Sequence, residues 1–234
     1  MINISFIAEA ASLIADPARA NMLFALKDDG EITSGDLSSV AGVAPSTASE
    51  HLSKLVGAGL VSVHAKGRKR YYRLAGPAVA EILEGVEGVA ATLAGRSGRV
   101  ANHDRAMTHA RRCYDHLAGR VGVQIADAML AKTFIRHSTS GPELTRDGTA
   151  WLISLGAEID RLRIESRRFL RLCPDWSENA IHIGGAVGAA MLGRFFARDW
   201  LRGVRGSKVL VVTPAGTANF QSHLGVDIRS HDTC

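Results

Sequence analysis

The stretch Ala44–Val61, APSTASEHLSKLVGAGLV, decides the fold predicted for the N-terminal part of the chain. Its apolar residues recur at i, i+4, i+7 and i+8, the spacing of a helix stripe buried against a core. They are Ala48, Leu52, Leu55 and Val56. The opposite face carries the polar residues Ser46, Thr47, Glu50 and Lys54. The pattern therefore predicts a short helix with one buried face and one polar face.

A basic hairpin is predicted directly after this helix. Residues 60–63 and 71–74 alternate as two strands around the turn AKGRKR at 65–70. The turn contains four cations: Lys66, Arg68, Lys69 and Arg70. A polar-faced helix followed by a basic β-turn is typical of a winged helix-turn-helix that binds double-stranded DNA. The alternative is an ordinary solvated loop.

Glu50 on the predicted helix has two interpretations. It could accept a hydrogen bond from a cytosine amino group or form an i,i+4 pair with Lys54.

The composition indicates a folded protein, and its net positive charge favours a polyanionic partner. The 234 residues carry 28 Lys and Arg against 23 Asp and Glu, a formal charge of +5. Three cysteines are too few for a disulfide framework, which favours a reducing cytoplasm. No segment is apolar over the roughly 18–20 residues of a membrane span, and residues 1–15 lack the pattern of a secretion signal. The expected location is cytoplasmic, without a membrane partner.

Two domains and a linker are predicted. The first, at residues 1–95, consists mainly of helices capped by Asp16 and Thr33, and it ends in an apolar stripe at 77–94. We expect Glu81, Glu84 and Glu87 on the outer face of that last helix. The stretch GRSGRVANHD at 95–104 breaks every periodicity, so a linker is assigned to 96–105. The second domain covers 106–234.

The second domain repeats itself. A shift of 66 positions aligns residues 116–122, HLAGRVG, with 182–188, HIGGAVG. The match predicts two copies, at about 113–159 and 173–228, each a helix, a short extended segment, a loop and a further helix opened by Thr145 or Thr213. The predicted fold class is mainly α with small β-hairpin wings (α+β): an N-terminal winged helix plus a C-terminal duplicated winged-helix-like unit.

Cysteine and histidine occur together in both copies. Cys113 and His116 are at i and i+3, which would place them on one face of a helix. Cys173 and His182 are their counterparts, spaced nine apart. Thiolate and imidazole suit a thiophilic metal or metalloid ion, and an activated thiol suits an oxidant or an organic ligand. A third interpretation is structural, with buried cysteines and hydrogen-bonded histidines.

Residues 16–74 resemble the ArsR/SmtB-type winged-helix repressors. The matching stretches are DPARANMLFAL, TSGDLSSVAGVAPSTASEHLSKLVGAGLV and GRKRYYRL, and the C-terminal half is similar to a subgroup with the extension Cys-Tyr-Asp-His-Leu-Ala-Gly, here Cys113–Gly119. The resemblance implies a homodimer, joined through its first helix and residues 77–94, that represses transcription until an inducer binds. It also implies that bases or phosphates face Ser46, Thr47, Ser49 and His51, and that the wing consists of Lys66, Arg68, Lys69 and Arg70.

The metal sites of that family are missing from their usual places. The helix TSGDLSSVAG has no cysteine, and residues 77–94 have no histidine or aspartate. Any sensor must therefore lie in the second domain. The predicted function is a DNA-binding repressor released from its operator by an inducer, which could be a metal or metalloid ion, an oxidant or a small molecule.

Two other functions are compatible with the sequence. The first is a constitutive dimeric regulator without an inducer site. The second is an enzyme with Cys113 as nucleophile and His116 as its base, for which the sequence offers no further catalytic partner.

Overall fold

The computed structural model describes residues 4–96, 105–165 and 167–228. The chain forms two compact units, Met1–Leu83 and Glu84–Cys234, so the division falls within a helix rather than at the predicted bound of residue 95. Most of the linker predicted at 96–105 lies outside the described residues. In the described part of the chain, no helix combines the length and the apolar character that crossing a membrane requires.

The first unit consists of helices around a small antiparallel sheet. In chain order its elements are α1 (Ile4–Ala15), α2 (Pro17–Asp29), β1 (Ile32–Thr33), α3 (Ser34–Ala41), α4 (Pro45–Gly57), β2 (Val61–Lys66), β3 (Lys69–Leu74) and the start of α5 (Pro77–Arg96). The strand order is β1-β3-β2. This order of helices followed by a hairpin is a winged helix-turn-helix.

The helix ends in this unit follow the predicted caps. The Asp16 carboxylate accepts a hydrogen bond from the Arg19 N–H, and Pro17 occupies the first turn of α2. The Thr33 hydroxyl accepts from the Asp36 N–H at the start of α3. At α4 the capping position holds Ala44, which has no side-chain acceptor. The structure thus confirms the predicted caps at Asp16 and Thr33.

The second unit contains the same series of elements twice. Its first half consists of β4 (Arg111–Cys113), β5 (His116–Ala118), α7 (Arg120–Ala131), β6 (Ile135–Ser138), β7 (Gly141–Leu144) and α8 (Arg146–Ser154). Three helices of this unit lie outside both halves: the rest of α5, α6 (Arg105–His109) and α9 (Ile159–Arg163). Its second half is β8 (Arg171–Asp175), β9 (Ala180–Gly184), α10 (Gly185–Ala197), β10 (Leu201–Gly203), β11 (Leu210–Val212) and α11 (Pro214–Leu224). Each half reads hairpin, helix, hairpin, helix.

The two halves contact each other reciprocally. Helix α7 packs on β9 of the second half, and α10 packs on β5 of the first. A Cβ at Gly122 would lie 3.5 Å from the Cβ of His182, and a Cβ at Gly188 would lie 3.1 Å from the Cβ of His116. These glycines therefore allow each helix to approach the other half's histidine strand.

Three aromatic side chains pack together in the core of the second half. Phe195 stacks on Trp200 with ring centroids 5.3 Å apart, and Phe220 meets both rings edge-on. All three side chains are buried. In the first half, Phe134 stacks on Trp151 at 5.5 Å. These contacts hold the second hairpin and last helix of each half in place.

The predicted helix at Cys113 and His116 is wrong, because each half begins with a hairpin. The last helix of each half does begin after Thr145 or Thr213, as predicted. Cys113 and His116 lie on opposite strands and pair directly across the β4–β5 ladder. Tyr114 and Asp115 form the turn, with Tyr114 at a φ of +55°. Neither residue is the glycine or asparagine usual in such turns, and strands of three residues are too short to show a period of two.

Candidate functional site

The polar face of α4 is open to solvent. Ala48, Leu52 and Leu55 are buried, which confirms three of the four residues of the predicted stripe, and Val56 is half-buried. On the other face the exposed residues are Ser46, Ser49, Glu50 and Lys54, and Thr47 is half-buried. This helix thus presents small and hydrogen-bonding groups of the kind that reach base edges in a major groove.

His51 lies differently from the rest of that face. Its side chain is only 16% exposed, and its Nδ1 lies 3.7 Å from a carboxylate oxygen of Asp16. The same nitrogen is 3.4 Å from Nη1 of Arg19. His51 is therefore turned toward the start of α2, and a direct contact of this side chain with DNA remains a prediction.

The wing is a tight hairpin with a cationic end. Lys66 pairs with Lys69 across the ladder, and Gly67 with Arg68 forms the turn. Gly67 has a φ of +64°, a conformation that a two-residue hairpin turn requires and that glycine adopts without strain. All four cations are exposed: Lys66, Arg68, Lys69 and Arg70. None of them pairs with a carboxylate among the residues that the structure describes.

The second unit brings the four candidate sensor residues together. Cys113 faces His116 across β4–β5, and Cys173 faces His182 across β8–β9. One ligand atom from each of the four lies within 4.8 Å of all the others. Three of these side chains are buried and Cys113 is half-buried. Residues 69 positions apart in the chain thus form one cluster, hereafter the Cys2His2 cluster.

A carboxylate lies behind each imidazole. His116 Nδ1 is 3.3 Å from Asp115 Oδ1, and His182 Nδ1 is 3.0 Å from Asp175 Oδ2. A carboxylate beside Nδ1 favours the tautomer with the proton on that nitrogen. The two Nε2 atoms then face each other with lone pairs, 3.2 Å apart. Two lone pairs at that distance require a proton or another cation between them.

Burial and neighbouring charges change the protonation of this cluster. Burial by itself lowers the pKa of His116, but Asp115 and Cys113 outweigh it and raise that pKa to about 9. The adjacent Cys173 thiol and burial raise the pKa of Cys113. The pKa of His116 and that of Cys113 are thus both raised, each through contacts with other members of the cluster.

Asp175 links the two halves. Arg111 donates to its Oδ1 at 2.8 Å and the Gly119 N–H donates to its Oδ2 at 2.7 Å. Burial raises the pKa of Asp175, but His182 and Arg111 outweigh burial and hold it well below the ordinary value. The Arg111 guanidinium also stacks on Trp176, 4.1 Å from the ring centroid. This network fixes the position of the Asp175 carboxylate, which lies beside the His182 ring.

Glu84 is a site residue that sequence analysis placed wrongly. It lies on α5 with 2% of its side chain exposed, not on the outer face. Its Oε1 accepts from Cys113 Sγ at 3.5 Å and its Oε2 from Cys173 Sγ at 3.6 Å. It also forms an ion pair with Arg171. One carboxylate thus contacts both thiols. The sequence does not predict this contact, because Glu84 lies at a regular spacing of three residues from Glu81 and from Glu87.

An exposed polar helix beside a cationic hairpin defines the first unit as a winged-helix DNA-binding domain. A family model for bacterial regulatory proteins of the arsR family matches residues 16–63. Over 222 residues the chain is 36% identical to an uncharacterized HTH-type transcriptional regulator, YdfF, of Bacillus subtilis (strain 168). That alignment covers 95% of this chain and 98% of the relative. The chain belongs to the arsR family of DNA-binding transcriptional regulators.

Solved structures resemble the chain over less than half of its length. Rv0081 of M. tuberculosis is 32% identical, with 42% of this chain and 96% of that chain covered and a TM-score of 0.38. NolR of Sinorhizobium fredii is 30% identical, with 37% and 85% covered and a TM-score of 0.34. The Bacillus relative, in contrast, aligns along both units.

Proposed function

We propose that this regulator is a cytoplasmic homodimeric repressor that binds a double-stranded operator through α4 and the wing. The observation that carries the proposal is the exposed polar face of α4, opposite its buried stripe and followed by four exposed cations. The groups assigned to bases and nearby phosphates are Ser46, Thr47, Ser49, Glu50 and Lys54. The groups assigned to the phosphate backbone are Lys66, Arg68, Lys69 and Arg70.

Dimer formation is proposed to use α1 and the later part of α5. On α1, Ile4 and Ile7 are 79% and 55% exposed. On α5, Val89 and Leu93 are 62% and 61% exposed. Large apolar side chains exposed in series along a helix are the usual mark of an interface. A second copy covering them would also present two recognition helices to one operator.

The second unit is proposed to sense the inducer at the Cys2His2 cluster. The recurring element order and the reciprocal glycine contacts support an internal duplication, which places one cysteine and one histidine from each half at a shared centre. An inducer releases DNA by preferring the non-binding state of the dimer. A hundredfold weakening of operator binding requires a preference of about 2.7 kcal/mol.

The test starts from DNA binding. A duplex selected by the purified chain from a random-sequence pool is titrated in fluorescence anisotropy at low salt. Ser49→Ala should weaken binding of the selected duplex about 2- to 10-fold, because one neutral hydrogen bond contributes about 0.5–1.5 kcal/mol. Ser140→Ala, an exposed serine in the second unit, is the matched control. No affinity for any duplex would overturn the proposal.

Induction is tested on the same complex. Zn2+, a thiol oxidant (diamide) and a thiol alkylator are each added, and release of the duplex is measured. Release that is lost in Cys173→Ser supports a sensor at the cluster. Undiminished binding under all three treatments contradicts it and supports a constitutive regulator.

A further inference from the structure

The Cys2His2 cluster has the donor set and spacing of a metal centre. Each hairpin supplies one sulfur and one imidazole nitrogen from directly opposed strand positions. In a tetrahedral zinc site with Zn–N of about 2.0–2.1 Å, two nitrogen ligands lie about 3.3 Å apart. The two Nε2 atoms are 3.2 Å apart here. All four donor atoms fall within 4.8 Å of one another, so one ion can reach them with small side-chain movements.

The histidines distinguish a metal centre from a disulfide switch. A disulfide between Cys113 and Cys173 would use the two sulfurs and leave two buried Nε2 atoms facing each other. Each imidazole is backed by its own carboxylate, Asp115 or Asp175. A carboxylate on the far nitrogen is the arrangement that orients metal-bound histidines and makes them better ligands. One cation can therefore be coordinated by all four donor atoms, whereas a disulfide involves only the two sulfurs.

The charges at the cluster also suit a divalent ion. Two thiolates and two neutral imidazoles carry a total charge of −2, which a divalent ion balances. The ligand protons leave to solvent when the ion binds. The remaining buried carboxylates have their own partners, Arg171 for Glu84 and Arg111 for Asp175. When the thiols lose their protons, Glu84 loses two S–H donors but keeps the ion pair with Arg171, and Asp175 keeps Arg111. Both carboxylates therefore retain a cationic partner when the ion is bound.

We propose that Cys113, His116, Cys173 and His182 bind one divalent ion of the zinc class in tetrahedral N2S2 coordination. Tetrahedral sites of two sulfurs and two nitrogens are typical of zinc. The ligands come from both halves of the second unit, so the ion joins them where they meet. The further step, that this ion is the inducer, rests on the proposed function.

Cobalt serves as the probe of coordination. Co2+ is titrated into the reduced, metal-free full chain, and the visible absorption is recorded together with the stoichiometry. One ion per chain with the intense bands of tetrahedral cobalt and a thiolate charge-transfer band is expected. Zn2+ should displace it and bleach the spectrum. The absence of a thiolate band, or a six-coordinate spectrum, would overturn the N2S2 assignment.

Ligand variants locate the ion. Cys173→Ser and His182→Gln should each weaken Co2+ binding at least about 100-fold, more than the loss of a group behind a ligand. Cys234→Ser and His137→Gln remove the same chemical groups elsewhere and should leave the affinity unchanged. Equal affinity in all four variants would refute the site. Circular dichroism checks folding, and if a ligand variant is unfolded the spectrum of the unaltered chain still decides.

The two proposals fail separately. If zinc binds and releases the selected duplex, both stand. If the cobalt spectrum shows N2S2 coordination but zinc leaves DNA affinity unchanged, the site stands and the ion is not the inducer. If no ion binds while diamide releases DNA, the metal site is wrong and the proposed regulatory function stands.

Discussion

At the scale of the residue, glycine decides how closely the two halves of the second unit approach. A Cβ at Gly188 would lie 2.3 Å from the Ile183 carbonyl oxygen and 3.1 Å from the Cβ of His116. The counterpart Gly122 has the same relation to the Leu117 carbonyl and to His182. Space for two imidazoles at the centre thus depends on two missing side chains.

We predict that Gly188→Ala destabilises the second unit by at least about 1 kcal/mol, because overpacking of a close contact typically costs 1–3 kcal/mol. Displacement of His116 should also weaken Co2+ binding. Gly193→Ala on the same helix meets nothing within 4 Å. This control should be neutral or stabilise by up to about 1 kcal/mol. Urea unfolding and cobalt titration measure both effects, and equal behaviour of the two variants would contradict the close-packing argument.

Glu84 shows a different dependence on its surroundings. A buried carboxylate is costly unless it is paired and hydrogen-bonded. Arg171 and two thiols satisfy Glu84, and all three come from segments distant in the chain. Helical spacing alone predicts that Glu84 is exposed together with Glu81 and Glu87. No residue within α5 indicates that Arg171 and two thiols contact the Glu84 carboxylate.

At the scale of the element, the wing combines a local turn with a local charge run. Its four exposed cations occupy the last positions of β2, the turn and the first positions of β3. Phosphate contacts release counterions, and this release makes binding depend on salt. In the proposed complex, the hairpin would therefore contribute affinity that does not depend on base sequence.

We predict that Arg68→Ala with Lys69→Ala reduces the slope of log affinity against log salt by about 0.9 for each phosphate that is no longer neutralised, or about 1.8 in total. The preference between selected and random duplexes should change little, since phosphate contacts position rather than specify. Lys132→Ala, an exposed cation in the second unit, should leave the slope unchanged. Anisotropy titrations at several salt concentrations give the slope, and an unaltered slope in the double variant would exclude the wing from the interface.

At the scale of the whole molecule, the proposed function depends on the association of two copies of the chain. The family resemblance assigned dimer contacts to the first helix and residues 77–94, and exposed apolar side chains lie on both α1 and α5. The same helix α5 carries Glu84 against the cluster thiols. A change at the cluster would therefore act on an element proposed to hold the dimer.

We predict that Val89→Asp with Leu93→Asp produces monomers at concentrations where the unaltered chain is dimeric, because an interface would have to bury two unpaired charges. The affinity for the operator should fall as well, since one dimer would no longer bind both half-sites at once. Ile153→Asp alters an equally exposed apolar residue on α8 and should remain dimeric. Sedimentation velocity distinguishes the two, and a dimeric double variant would place the interface elsewhere.

The winged helix follows from the sequence because its determinants are local. Helix period, caps at Asp16 and Thr33 and a glycine turn at Gly67 each act within a few residues. The match of residues 116–122 with 182–188 is also visible in the sequence. It predicts a repeat that pairs Cys113 and His116 with Cys173 and His182. Their convergence depends on contacts between segments 60 to 66 positions apart in the chain, which no local pattern specifies. Two features became visible only in the folded chain: Cys113 and His116 oppose each other on a hairpin, and Glu84 is buried. Strands of three residues are too short to show a period, and a buried charge can be recognised only from its partners.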